Sequence, residues 1–348
     1  MHIILIQFII RKDEINDMAV YLITGASGYL GSMLAEYILK TDRSAKVIAL
    51  ARDGEKMGRR LPQDSLFVFQ ANLCEDGWAE RFFMEGQVME GAGLPDHIIH
   101  CAAVTDSSEM VSHPVEVISS IVNATQNVLE FARQCKIKSM VYLSSMEVYG
   151  RVNDRAGHLV TEDEAGMGRI DVLDVRSCYP LGKRMSENIC YSYYREYGVP
   201  VKIARLAQTF GRGIRWSDNR IFAQLIRAVK KGTDIVLHTD GTSVGNYCGI
   251  DDVLRGIMTI LEKGEDGEAY NVVNEKNTMT IREMAELVAT QAAGGKIRVV
   301  YEIPQGNPYG YATKTGLHLS GKKLAGLGWQ AKDSLLEMYL NASFDQRE

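Results

Sequence analysis

Residues 19–39 constrain the fold more than any other stretch of the chain. Ala19-Val-Tyr-Leu-Ile-Thr24 is a short apolar run, and Gly25, Gly28 and Gly31 follow it three residues apart. Tyr29-Leu-Gly-Ser-Met-Leu-Ala-Glu-Tyr-Ile-Leu39 then carries the apolar spacing of a helix. A strand that hands over to a helix through glycines is a frame for a phosphate. Gly25 permits the tight turn, Gly28 lets backbone approach a pyrophosphate, and Gly31 lets the helix pack close to the strand. The free N–H groups at the helix start, around Ser27, Tyr29 and Leu30, face the anion. Glycine triplets also occur in ordinary turns, so the surrounding pattern has to decide.

That pattern is strand alternating with helix. Lys46–Leu50, Leu66–Ala71, Asp96–Ala103 and Lys138–Ser145 predict buried strands, and residues 114–135 predict a helix. Such alternation implies a doubly wound parallel sheet covered on both faces, an α/β Rossmann-like fold. Ligands bind at the carboxyl ends of its strands. Gly25, Arg52, Asn72-Leu73, Cys101-Ala102-Ala103 and Ser145 all fall there. The second strand runs into Ala51-Arg52-Asp53. An Arg at this place suits the 2′-phosphate of NADP, with Lys56 as a helper. The alternative turns Asp53 to the ribose, as NAD requires.

Composition narrows the class. The net charge of −5 points neither to nucleic acid nor to an anionic membrane surface. Six scattered cysteines without Cys-x-x-Cys argue for reduced thiols in a cytoplasm and against a zinc site. No apolar stretch reaches the roughly 18 residues of a membrane helix. Residues 1–17 read as a leader outside the fold, because Arg11 and Lys12 follow rather than precede the apolar run and no small-residue cleavage site appears.

The remaining signals carry chemistry. Ser144-Ser145-Met146-Glu147-Val-Tyr149-Gly150 follows the fifth predicted strand. Tyr179 and Lys183 stand four apart and open a helical stretch, Arg184 to Tyr197, so they share one face. With the glycine run, His100-Cys-Ala-Ala103, Asn123 before a helix and the tail Leu319-Ser-Gly-Lys-Lys-Leu-Ala-Gly-Leu-Gly-Trp329, the chain resembles the extended short-chain dehydrogenase/reductase superfamily. The similarity is to its nucleotide-sugar epimerase, dehydratase and reductase branch and runs from about residue 19 to 340. The resemblance implies Ser145, Tyr179 and Lys183 as the catalytic set, and Asn123 among the cofactor contacts. The chemistry agrees independently. A free tyrosine titrates near 10, and a neighbouring ammonium favours its phenolate. Tyr179 then moves a proton at a sugar oxygen, Ser145 hydrogen-bonds that oxygen, and hydride passes to or from the nicotinamide.

The resemblance also exposes departures. Family dehydratases carry Asp-Glu after the active hydroxyl residue; here the pair is Met146-Glu147, which argues against 4,6-dehydration. Decarboxylases of the family carry an acid at the Glu147 position, so that chemistry stays open, as does a structural pairing of Glu147 with Arg205. Val201–Gly211 predicts one returning core strand, with Gln208 where relatives often have Asn near the substrate diphosphate. Thr105, Asn219 and Arg220 are further substrate candidates, and Arg212, Arg215 and Arg220 are candidate phosphate contacts or solvated charges. Relatives place an Arg before the Asn/Asp-Tyr that precedes the next helix; this chain has Gly245-Asn246-Tyr247. Thr280-Ile-Arg-Glu283 reads as a capping box. Residues 296–316, with Tyr309 and Tyr311, read as a loop over the substrate or as packing.

The expected organisation is a dinucleotide-binding domain over 18–216 with a returning segment at about 246–273. A substrate lobe is expected over 217–245 and 274–345. The expected activity is NADPH-dependent reduction of a keto group on a nucleotide-activated sugar, with Arg52 favouring NADP(H). The alternative is a nucleotide-sugar epimerase, decarboxylase or dehydratase holding NAD tightly. A non-catalytic dinucleotide-binding protein is the remote alternative. A cytoplasmic homodimer is expected from the resemblance.

Overall fold

The computed structural model describes residues 18–53, 65–84, 93–152, 157–305, 314 and 316–345. The expected leader, Lys56, Tyr309 and Tyr311 lie outside them. Strands β1 (Val20–Thr24), β2 (Lys46–Ala51), β3 (Leu66–Gln70), β4 (His97–His100), β5 (Ser139–Ser145), β6 (Val201–Leu206) and β7 (Ala269–Val272) form one parallel sheet in the order β7-β6-β5-β4-β1-β2-β3. β1 pairs on one side with β2, Thr24 opposite Leu50, and on the other with β4, Thr24 opposite His100. The chain therefore reverses direction of travel across the sheet at β1, and that is the switch point where such sheets take ligands.

Apolar side chains dictate this arrangement. Leu22, Ile23, Ile48, Ala49, Ile98, Ile99, Met140 and Val141 are fully buried, because helices cover both faces. Helix α1 (Tyr29–Thr41) leaves the glycine turn with Met33, Leu34, Ala35, Ile38 and Leu39 inward. Trp78, Phe82, Phe83 and Phe131 form a cluster of rings beside Phe69, with centroids 5.0–6.1 Å apart. Helix α2 (Trp78–Met84) supplies three of them. Helix α3 (Pro114–Cys135) opens on Pro at its first position and closes on Lys136 in the left-handed region at φ 48°. Helix α4 (Cys178–Tyr197) packs against α3.

By internal contacts the chain divides into two compact units. One comprises the segment ending at Ser144 with Asp171–Ala204 and Ile260–Ala269; the other comprises Ser145–Ile170, Arg205–Thr259 and the segment from Tyr270 onward. This division differs from the sequence-based boundaries in placing Ser145–Ile170, 205–216, 246–259 and 270–273 with the second unit.

The predicted strand Val201–Gly211 is not continuous. It breaks at Ala207, whose N–H still bonds Val272 O at 3.1 Å, while the next N–H, of Gln208, turns to Asn246 O at 2.9 Å. Gln208–Phe210 then pairs in parallel with Tyr247–Gly249. The chain changes partner, so one apolar run serves two ladders. The predicted 296–316 loop also contains structure: Val299–Tyr301 pairs in parallel with Ile235–Leu237. The capping box forms as read. Thr280 Oγ1 accepts from Glu283 N at 3.1 Å, and Glu283 Oε2 accepts from Thr280 N at 2.8 Å. Its helix, Ile281–Leu287, continues as a π-helical turn over Val288–Ala292. The tail is a structural staple: Leu319 is fully buried, its N–H donates to Asn246 Oδ1, and Trp329 Nε1 donates to Asp252 O.

Candidate active site

The first unit builds a cradle between β1, α1 and the end of β4. Gly25 holds φ +64°, and a Cβ there would stand 2.8 Å from Ala102 Cα. A Cβ at Gly31 would meet the Gly25 carbonyl oxygen and lie 2.8 Å from Ala26 Cα. Neither position tolerates a side chain, so β1, α1 and the Cys101–Ala103 backbone come together through bare main chain. Gly28 is the N-cap residue at ψ 170° and brings no side chain to the helix start.

A buried polar chain fastens the same place. Ala102 N donates to Thr24 Oγ1 at 3.2 Å, and Thr24 Oγ1 lies 2.6 Å from His100 Nδ1. His100 Nε2 lies 3.2 Å from Thr125 Oγ1, which itself donates to Ile121 O at 2.5 Å. Thr125 has spent its proton on Ile121, so it accepts from His100 Nε2–H. Thr24 then donates to Nδ1. Burial, with the charge of Lys183 second, pulls His100 down to about 3, so it stays neutral.

Tyr179 and Lys183 lie in α4 itself, which begins one residue before Tyr179 rather than after Lys183. Tyr179 is buried against Met110, Val117, Ile121 and Cys178, with Ala103 and Val104 beside it. Lys183 is only 3% exposed. Its Nζ donates to Leu143 O at 2.7 Å and stands 5.9 Å from the Tyr179 ring and 4.7 Å from that of Tyr142. Burial draws Lys183 down from 10.5 to about 8, against the opposing pull of Glu187, Cys101 and Cys190. Burial raises the Cys101 thiol to about 12, keeping it protonated.

Other cofactor candidates differ in placement. Asn72 donates to Glu75 and caps Cys74 N at 3.2 Å, while buried Leu73 offers its carbonyl to Asn127. Arg52 is exposed and Asp53 half-buried at the end of β2. Asn123 does not precede a helix. It sits on an exposed face in mid-α3, because that helix already starts at Pro114.

In the second unit, Ser145 caps a 3-10 turn over Met146–Tyr149, accepting from Glu147 N at 3.2 Å. Glu147 is exposed. Tyr149 is structural: it is buried, donates to Asn271 Oδ1 at 2.7 Å and accepts from Arg205 Nη1 at 3.1 Å. Arg220 grips Asp218 with two nitrogens at 2.5–3.1 Å, and Arg212 bonds Asp251 at 3.0 Å. Thr105 and Asn219 are exposed, and Gln208 is half-buried. At Gly245 a Cβ would run into the Tyr247 phenol, so the place where the resemblance expects an Arg has no room for a side chain.

A model of the NAD dependent epimerase/dehydratase family matches residues 21–273, most of the chain. The chain belongs to that family. A UDP-glucuronic acid decarboxylase of Arabidopsis thaliana is 27% identical over 271 residues, which are 77% of this chain and 72% of the relative. The UDP-glucose 4-epimerase of Thermotoga maritima, solved with UDP-glucose, superposes with a TM-score of 0.77 at 22% identity, covering 92% of this chain and 97% of that one. The UDP-glucose 4-epimerase of Thermus thermophilus, solved with NAD, gives 0.75 at 25% identity, covering 92% and 97%. The family is NAD dependent, and the side-chain-free floor at Gly25 and Gly31 fits a nicotinamide dinucleotide.

Several polar residues that shape this epimerase/dehydratase-family site escaped the sequence reading. His100 and Thr24 looked like members of apolar strands. Ser144 stood in the sequence only as the neighbour of Ser145, yet it is buried and donates to Glu187 Oε1 at 2.6 Å. Glu187 itself carried one available signal: it stands four residues after Lys183.

Proposed function

We propose that this chain is a redox-neutral enzyme on a nucleotide-activated sugar, an epimerase or decarboxylase that retains NAD. The observation that carries the reading is the buried Tyr179–Lys183 pair in the same unit as the bare glycine cradle. When bound, NAD supplies the reversible hydride acceptor. Tyr179, as phenolate, accepts the proton of a sugar hydroxyl while the carbon–oxygen bond becomes a carbonyl, and returns it at the end. The Lys183 ammonium favours the phenolate. Ser145 is the sequence-derived donor to the same oxygen. Glu147, one residue beyond Met146, supplies the acid that decarboxylases of the family carry. Kinship favours the redox-neutral reading over net reduction, since the relatives are named as decarboxylases and epimerases.

Arg52, exposed at the end of β2, favours a second reading: NADPH-dependent reduction of a keto sugar. A homodimer through α3 and α4 is part of the proposal, supported by the exposure of Val115, Ile118 and Met185 on those helices. A cytoplasmic setting is proposed from six free thiols. Among the described residues no helix is long and apolar enough to cross a membrane.

Native mass spectrometry of the purified protein tests these points together. Two chains carrying one NAD each, with turnover of UDP-glucose or UDP-glucuronic acid without added cofactor, are expected. An empty protein that consumes NADPH with a keto sugar would sink the redox-neutral reading, and a single chain would sink the dimer.

A further inference from the structure

Tyr179, Lys183 and Glu187 are spaced four apart, so they run along one face of α4, and all three are buried. The proposed reaction uses the first two. Glu187 has no part in it, yet it is only 8% exposed. A carboxylate withdrawn from water needs strong partners. One is Ser144, on the adjacent residue to Leu143 in β5, whose hydroxyl donates to Glu187 Oε1 at 2.6 Å. One helical turn back from Glu187, Lys183 is held by the Leu143 carbonyl at 2.7 Å. Adjacent residues of β5 thus hold the base and the acid of α4.

The surroundings of Lys183 leave few sources of countercharge. From its own helix come Tyr179, Glu187 and Cys190. From β5 comes the ring of Tyr142, and from the end of β4 come His100 and Cys101. Burial raises Tyr142, Cys101 and Cys190 and lowers His100, so each of these four is neutral at pH 7. Glu187 is the only carboxyl group among them, and it is the foremost influence keeping the proton on Lys183.

We propose that Glu187 is the countercharge that keeps Lys183 an ammonium inside the sheet–helix core, and so a positioning residue for the Tyr179–Lys183 pair. Ser144 anchors its carboxylate on β5. The inference rests on the acid/base reading of that pair for its significance, but its test needs neither substrate nor NAD.

The test labels the lysine ε-carbons of the full-length protein and follows the Lys183 resonance with pH. Lys183→Met identifies the signal. In Glu187→Gln, which keeps the shape and can still accept from Ser144, the Lys183 midpoint falls by about 1 to 3 pH units. A folded Glu187→Gln protein with an unmoved midpoint overturns the proposal, even if it melts earlier, because a merely structural Glu187 would change stability alone. If Glu187→Gln does not fold, the double variant with Lys183→Met is expected to, since it removes the stranded ammonium; a double variant that is equally unfolded overturns the proposal as well. Loss of the redox-neutral reading would leave the midpoint shift untouched, so the two failures are distinguishable.

Discussion

The two units hold their candidate site residues differently. In the first, the ionisable groups that matter are withdrawn from solvent. Lys183 and Glu187 are buried along α4, and His100 is neutral within a chain of hydroxyls. In the second, the arginines offered by the sequence as phosphate contacts stay near the surface and pair with acids of their own neighbourhood, Arg220 with Asp218 and Arg212 with Asp251. A buried charge is expensive, so it persists only where a reaction or a specific partner requires it. A surface ion pair costs little and signifies little. On the function proposed above, the demanding chemistry falls to the buried groups of the first unit, while in the second the space at Gly245 is taken by the Tyr247 ring.

The largest effect expected from this contrast is at Tyr179. Tyr179→Phe removes the proton carrier and should lower kcat by about 10² to 10⁴ with KM little changed. Steady-state kinetics with whichever of UDP-glucose and UDP-glucuronic acid the parent protein turns over would check it, and unchanged turnover would remove the first unit from the chemistry.

A second, smaller effect is on stability. Lys183 titrates at about 8 in the folded NAD-free protein against 10.5 unfolded. Between those values the unfolded chain binds more protons, so this group makes stability rise with pH across that window, and its cost is fully present below pH 8. The shift corresponds to about 3 kcal/mol. Urea titrations at pH 7.5 and 9 should show a steeper gain with pH in the parent protein than in Lys183→Met. Equal slopes would mean that Lys183 is not penalised by burial, and the contrast between the units would weaken.

The smallest effect is expected at Arg220. Its guanidinium is already committed to Asp218, so Arg220→Ala should raise KM by less than about tenfold. A hundredfold rise would show that the arginine leaves Asp218 to hold a diphosphate, and the second unit would then be electrostatically as decisive as the first.

Much of the fold was legible because periodicity reports burial. The apolar runs of β1 to β5 and the length of α3 follow from side chains that must leave water, and the structure places them within a few residues of the expected ends. The failures have one cause in common, which is long-range choice of partner. Val201–Phe210 reads as a single run, yet Ala207 is where the ladder moves from Val272 to Asn246. The resemblance set Asn123 before a helix, while periodicity already predicted helix over 114–135, and the structure follows the periodicity. Neither hydrogen-bond partners nor the packing of a helix surface are encoded in a local period.

The sequence by itself determined the glycine cradle, the Tyr179–Lys183 spacing and the family to which they belong. These depend on backbone freedom and on the 3.6-residue turn, both local properties. Tertiary structure alone decided what surrounds them. It brought β5 against α4, so that Leu143 holds Lys183 and Ser144 holds Glu187, and it filled the space at Gly245 with the Tyr247 ring. Burial sets how strongly a charge needs its partner, and burial exists only once distant segments have packed.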